Sequence, residues 1–283
     1  MNNSVSYAIK QTKEEYSNNK GNAFVAAIVP GLIGAVVNMI VSAIIGGGYV
    51  SLIIQMFISA AATYMSVKML MDLVRTKTID FGTSLSSGKN LLSFIGVLSV
   101  FGVFQIILNQ VLTGIFVDDA LYTTLVSALE NQTITNEMAI EFFMQFVPVM
   151  VISFVVISAI QIKFYLTQYY VVDGVDFIAA FQRSFSKTKG HVVQIILFFL
   201  YFIALGAAII IIPFIIASFA GLLGILIMLG VLVYFIGFFI PYMMVGQVVL
   251  YEIIDGRYNQ DSHLQVEDPF EGNSTESKTD WDF

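Results

Sequence analysis

Cysteine is absent from this sequence of 283 residues, and histidine occurs only twice. Without cysteine the chain has no disulfide bonds and no thiolate metal sites, and two histidines are too few for a histidine-based metal cluster. Charged residues are also scarce, at 12%, about half of their share in an average soluble domain. Because 57% of the residues are hydrophobic, the composition predicts an integral membrane protein.

Six long apolar runs predict an all-α integral membrane protein with six transmembrane helices, because about 20 helical residues cross the hydrocarbon core. The expected spans, within a membrane domain of residues 23–257, are approximately 23–45, 49–71, 91–116, 142–166, 192–219 and 222–250. An interfacial helix at 1–22 precedes them, and an acidic outer loop at 117–141 joins the third span to the fourth. The acidic cytoplasmic tail at 258–283 is expected to be disordered.

A short amphipathic segment, Asp176–Gly190, directly precedes the fifth span. Its Phe177, Phe181 and Phe185 recur every four residues, which predicts an aromatic stripe on a helix lying in the membrane surface. Similar segments end at Lys89, before the third span, and at Lys20, before the first. The sequence therefore predicts three helical hairpins, each preceded by a cytoplasmic interfacial amphipathic helix.

Proline and glycine mark the expected bends of this architecture. Pro30, Pro213 and Pro241 lie within apolar runs, where a proline is expected to kink a helix. Gly88 and Gly190 stand where an interfacial segment meets a span, and they are expected to ease the change of direction.

All thirteen lysines and arginines fall on one side of the predicted membrane topology. They occupy the N-terminus, the connections at 68–89 and 163–189, and the tail, whereas the opposite loops have none. The positive-inside rule then places both termini in the cytoplasm. The basic residues of the interfacial segments are the expected contacts of anionic lipid headgroups: Lys20, Lys89, Arg183, Lys187 and Lys189.

Ionisable side chains are missing from the interiors of the predicted spans, so no catalytic residue, metal site or cofactor is expected. Lys68 and Asp72, four residues apart, are expected to form an ion pair at a span end. Asp173 and Asp176 are interpreted as a turn and a helix cap. The polar groups within the apolar runs include the amides of Asn38, Gln55, Gln105, Asn109 and Gln110. Such groups join helices to each other or line a polar cavity.

One stretch resembles a known family, through a motif in and before the fifth span: Tyr165, Tyr170, Asp173, Ala180, Ser184, Lys189-Gly190 and Pro213. It resembles the bacterial integral membrane proteins of domain of unknown function family 975. That family is similar to the membrane domain attached to some glycerophosphoryl diester phosphodiesterases. The resemblance implies a bacterial plasma membrane protein with no established reaction. The soluble phosphodiesterase domain has no counterpart in this sequence, so that activity is not implied.

The expected function is that of a non-enzymatic bacterial multi-pass membrane protein whose interfacial helices contact anionic lipid. The roles considered are envelope maintenance, export of a membrane-active peptide, and protection against such a peptide. The expected partners are membrane lipids and another membrane protein or a transporter ATPase, with no nucleic acid. Two alternatives stay open: a transporter or channel subunit with an uncharged polar cavity, and a lipid-modifying enzyme that uses Asp173 and Asp176.

Overall fold

The computed structural model describes residues 5–46, 48–84, 88–118, 123–124, 127–128, 135–219 and 221–258. Within these ranges the secondary structure is helical, with no β-strand. Six helices are long and apolar enough to cross a membrane. The predicted all-α class and the number of candidate spans are therefore confirmed. About half of the expected outer loop and nearly all of the expected acidic tail lie outside the described residues.

Short helices separate groups of long ones along the chain. In chain order they are α1 (Val5–Asn18), α2 (Lys20–Ile45), α3 (Tyr49–Thr76), α4 (Phe81–Ser84), α5 (Gly88–Phe116), α6 (Asn136–Lys163), α7 (Thr167–Val172), α8 (Phe177–Thr188), α9 (Val192–Ser218), α10 (Leu222–Tyr234) and α11 (Ile240–Asp255). A π-helical turn, Phe235–Phe239, joins α10 to α11, so that Leu223–Asp255 forms one candidate span.

Three of the long helices extend at least five residues beyond the spans expected from hydropathy, while α2 and α5 begin three residues early. Helix α3 continues to Thr76 and α11 to Asp255, because their last turns pack against protein instead of ending in water. Helix α6 begins at Asn136, where the Thr135 hydroxyl accepts a hydrogen bond from the Met138 amide as an N-terminal cap. The loop before α6 is accordingly shorter than expected.

Of the expected bends, Pro30 and Pro213 lie inside α2 and α9. Pro241 follows the π-helical turn directly, at the start of α11. Gly88 is the first residue of α5, and Gly190 lies between α8 and α9; neither has a positive φ. The direction changes at these two glycines therefore use backbone conformations open to other residues.

The most tightly packed region lies at one end of the bundle, which we call the charged end. It comprises α1, α7, α8 and the last turns of α3 and α11. Large side chains are fully buried there, among them Leu73, Tyr169, Tyr170 and Tyr251. The middle parts of the long helices instead expose apolar side chains outward, such as Ile106, at 63% exposure. This distribution suits helices whose outer surfaces face lipid.

Helix α8 packs differently from its predicted aromatic stripe. Phe177 and Phe181 lie against the core, but Phe185 is 51% exposed. The buried face is completed instead by Ala180, Ser184 and Thr188, which are fully buried. The hydroxyls of Ser184 and Thr188 turn inward and donate to the carbonyl oxygen of Lys163. The three phenylalanines still form the predicted stripe, since the Phe164 ring lies 5.3 Å from Phe181 and 6.1 Å from Phe185, but this stripe runs along the edge of the buried face.

A close approach of α2 to α3 depends on a glycine. A Cβ at Gly34 would lie 2.9 Å from the Cβ of Ala62, whereas one at Gly31 would meet no atom within 4 Å. We expect Gly34→Ala to lower the free energy of unfolding in detergent by about 1–3 kcal/mol, since it overpacks this contact. Gly31→Ala is the matched control and should cause no loss, because alanine favours helix. Equal stability of the two variants would contradict the close approach.

Candidate functional site

The guanidinium group of Arg75 is the centre of the charged end. From the last turn of α3 it donates two hydrogen bonds to the carboxylate of Asp173, at 2.6 and 2.9 Å. Its Nε and Nη2 atoms also donate to Oε1 of Glu252 on α11, at 2.8 and 2.5 Å. Arg75 therefore joins the ends of α3, α7 and α11, in a geometry that lysine cannot reproduce.

Asp173 accepts hydrogen bonds from two further groups. The Tyr251 hydroxyl lies at 2.5 Å from Oδ2, and Nη1 of Arg257 lies at 2.6 Å from the same atom. Burial alone would raise the pKa of the Asp173 carboxyl, but the hydrogen bonds from Arg75 and Tyr251 outweigh it and hold this pKa below its usual value. Asp173 is therefore ionised at neutral pH, with both oxygens bound.

A second carboxylate, that of Asp255, extends the cluster towards α8. It accepts hydrogen bonds from the Tyr170 hydroxyl at 2.7 Å and from Arg183 at 3.2 Å, and it pairs with Nε of Arg257 at 2.8 Å. The Arg183 guanidinium also lies over the Tyr170 ring, 4.6 Å from its centroid. Asp255 thereby holds α8 against α11.

These groups form one charge-balanced cluster, which we call the ionic network: Arg75, Asp173, Arg183, Glu252, Asp255 and Arg257. Three arginines face three carboxylates. The side chains of Asp173, Glu252 and Asp255 are only 10%, 3% and 2% exposed. Buried charges of this kind are tolerated only as pairs, so each member depends on the others.

Helix α1 closes one side of the charged end. Its buried Thr12 lies against Gly246 of α11, where an added Cβ would be 3.0 Å from the Thr12 methyl carbon. The Tyr16 and Tyr242 rings are 5.4 Å apart. Glu15 pairs with Lys77 at 2.6 Å and accepts a hydrogen bond from the Tyr258 hydroxyl at 2.9 Å. The N-terminal helix thus contacts both α11 and the end of α3.

The two aspartates considered for catalysis have different partners. Asp173 lies in the turn after α7, as interpreted, and its side chain also belongs to the ionic network. Asp176 stands at the N-cap position of α8, but its side chain makes no capping hydrogen bond and pairs with Lys89 at 3.0 Å. Within the described part of the chain, no three His, Asp or Glu side chains are arranged to hold a metal ion. The expected Lys68–Asp72 pair is confirmed, at 2.7 Å.

The five predicted lipid-contacting residues fall into two groups. Lys89 and Arg183 are engaged with Asp176 and Asp255. Lys20, Lys187 and Lys189 are exposed, and none of them has an ion-pair partner among the described residues. Each of these three lies at an end of a helix, at or beside the start of α2 or the end of α8.

Sequence reasoning missed two kinds of functional residue. Glu252 lies two residues beyond the predicted sixth span, and sequence reasoning did not identify it as a buried partner, although it stands between Tyr251 and Ile253 in an otherwise apolar stretch. That isolation was the available signal, since a lone carboxylate there needs a partner. Lys163 was missed as a surface contact; its ammonium lies 5.4 Å from the centroid of the Phe185 ring.

The residues that carry the family resemblance are mostly buried contacts of the charged end. The hydroxyl of Tyr165 donates to the carbonyl oxygen of Gln247 at 2.6 Å, while Tyr170 and Asp173 belong to the contacts described above. Ala180 and Ser184 lie on the buried face of α8. Comparisons of the chain with models of known protein families, with curated proteins and with solved structures find no match.

Removal of the Arg75 charge tests the ionic network. We expect Arg75→Gln to lower the free energy of unfolding by about 3–5 kcal/mol, because Asp173 and Glu252 would remain buried without their shared cation. Lys89→Gln, which breaks an exposed pair at the same end, should leave stability unchanged. Denaturant unfolding in detergent, followed by circular dichroism, measures both. A loss for Arg75→Gln no larger than that for Lys89→Gln would show that the network does not stabilise the fold.

Proposed function

We propose that the chain is a multi-pass protein of the bacterial plasma membrane without catalytic activity, whose charged end binds anionic lipid of the cytoplasmic leaflet. The observation that carries the proposal is the exposed edge of α8. Ile178 and Phe185, seven residues apart on one side of the helix, are 69% and 51% exposed. Lys163 lies over the ring of Phe185. Apolar side chains beside ammonium groups suit the boundary between acyl chains and headgroups.

Four lysines at helix ends make no ion pair with a described carboxylate. Lys163 ends α6 and lies over the Phe185 ring, Lys187 and Lys189 lie at the end of α8, and Lys20 begins α2. A lysine near an anionic bilayer surface contributes about 1 kcal/mol to binding. The proposal therefore assigns lipid contact chiefly to these four lysines, while Lys89 and Arg183 serve mainly to hold α8 in place.

The finer architecture belongs to the same proposal. Three hairpins would consist of α2 with α3, α5 with α6, and α9 with the α10–α11 span, with α1 and α8 as interfacial helices. Packing between the members of each pair supports this arrangement. So do hydrogen bonds between the helices, from Asn38 to Ser59 in the first pair and from Ser153 to Asn109 in the second.

A structural role fits the site better than a reaction. Both carboxylate oxygens of Asp173 are occupied by arginine and tyrosine donors, which leaves them unsuited to acid–base work. The ionic network would instead keep α8 at a fixed depth in the headgroup layer. The proposal includes membership of the family that the sequence resembles. It also includes a role in envelope maintenance, in the export of a membrane-active peptide, or in protection against one. A partner membrane protein or transporter ATPase is part of it as well.

Lipid contact is tested with the variant Lys163→Gln/Lys187→Gln/Lys189→Gln, in purified protein titrated with phosphatidylglycerol or phosphatidylcholine. We expect phosphatidylglycerol to stabilise the wild type against heat, and the variant to bind it more weakly by about fivefold per lysine removed. Lys89→Gln, whose ammonium already pairs with Asp176 at 3.0 Å, is the matched control and should retain wild-type affinity. If the triple variant binds phosphatidylglycerol as tightly as the wild type, the lipid proposal fails.

Orientation is tested by cysteine labelling, for which the cysteine-free chain is well suited. Ser17→Cys on α1 and Ser186→Cys on α8 are exposed positions at the charged end, and Thr124→Cys is exposed in the segment between α5 and α6. We expect an impermeant maleimide to label Thr124→Cys in intact cells, and the other two only after the membrane is opened. Labelling of Ser186→Cys in intact cells would reverse the proposed topology.

A further inference from the structure

The last turn of α8 carries charges that the described part of the chain does not neutralise. Lys187 lies one turn beyond Arg183 on one flank of the helix, and Lys189 lies one turn beyond Phe185 on the other. Both lysines are exposed, and neither forms an ion pair with a described carboxylate. Arg183, by contrast, is paired with Asp255 of α11 at 3.2 Å. We call the exposed surface of this turn the lysine end of α8: Phe185, Ser186, Lys187 and Lys189.

The chain leaves α11 close to this surface. Asp255, the last residue of α11, pairs with α8, and three residues later the Tyr258 hydroxyl donates to Glu15 of α1 at 2.9 Å. Residues 259–283, which lie outside the described residues, therefore start at the charged end. The 12 residues of α8 span about 18 Å. Nine residues lead from Tyr258 to Glu267 and extend over up to about 30 Å, which is enough to reach the lysine end.

The composition of residues 259–283 complements the lysine end. This segment holds seven carboxylates, from Asp261 to Asp282, and only one lysine. Three of the carboxylates and the ring of Phe270 fall within the five residues Glu267–Glu271. The lysine end likewise combines ammonium groups with an apolar ring, that of Phe185, which is 51% exposed. The two surfaces therefore match in charge and in apolar content.

We propose that Glu267–Glu271 docks on the lysine end of α8 of the same chain. Its carboxylates pair with Lys187 and Lys189, and the Phe270 ring packs against Phe185. A short connection keeps the two partners at high effective concentration, so weak pairs suffice for docking. Anionic lipid and the docked segment then compete for the same lysines. This competition rests on the proposed function, whereas the docking itself does not.

Disulfide formation within the cysteine-free chain tests the docking. The full-length variant Ser186→Cys/Gly272→Cys is compared with Ser17→Cys/Gly272→Cys, each as a single copy in phosphatidylcholine nanodiscs at low salt, with copper phenanthroline as oxidant. Ser17 is the matched control, because it is exposed on α1, two residues from the Glu15 that contacts Tyr258. Without docking, the length of the connecting chain governs both pairs alike. With docking, we expect the Ser186 pair to form its disulfide about fivefold faster.

The charges of the segment provide the second comparison. Glu267→Gln/Asp268→Asn/Glu271→Gln should remove the preference for position 186, and salt at about 0.5 M should weaken it by screening the pairs. Glu137→Gln/Glu141→Gln, at the start of α6, is the control for net charge and should retain the preference. Equal rates for the two cysteine pairs, or a preference that the neutral segment retains, would overturn the docking.

Phosphatidylglycerol separates the docking from the proposed lipid contact. Adding it should slow disulfide formation by the Ser186 pair about fivefold, since lipid displaces the segment from Lys187 and Lys189. A preferred disulfide that phosphatidylglycerol leaves unchanged would overturn the competition and count against the lipid proposal, but not against the docking. Tight phosphatidylglycerol binding with no preferred disulfide would overturn the docking alone.

Discussion

The charged end of the bundle depends on the pairing of Arg75 with Asp173 and Glu252. These three residues come from segments far apart in the chain, and each would be a buried charge without the others. An unpaired charge in such surroundings costs several kcal/mol, more than an exposed ion pair contributes. The pairing therefore determines how the ends of α3, α7 and α11 meet. The neighbouring tyrosines and Asp255 add hydrogen bonds and ion pairs that hold α8 against the same region.

The packing of α1 and α8 follows from this pairing of the helix ends. With the ends of α3 and α11 held together, α1 lies against Gly246, and α8 turns Ala180, Ser184 and Thr188 inward. The long helices pack more loosely beyond this region and expose apolar side chains, as expected where lipid supplies the surrounding contacts. A firmly packed end that supports exposed lysines, joined to spans that face lipid, is the physical basis of the function proposed above.

Polar groups in the spans show how the chain satisfies hydrogen bonds where water is scarce. Hydroxyls of Ser42, Ser59 and Ser153 pair with amides on neighbouring helices. Each such bond adds little stability, about 0.6 kcal/mol on average, but it specifies which faces of two helices meet. Gln105 has the same chemistry, but its side chain makes no hydrogen bond to any described residue.

The helical class, the six candidate spans and the Lys68–Asp72 pair could be predicted because each depends on local pattern: the length of an apolar run, or two residues one turn apart. The position of Asp173 in the ionic network, the inward turn of Ser184 and Thr188, and the exposure of Phe185 could not. They depend on the rotation of each helix about its axis, and that rotation is decided by contacts between distant segments. Arg75 and Glu252 share no local pattern, so the tertiary structure alone brought them together.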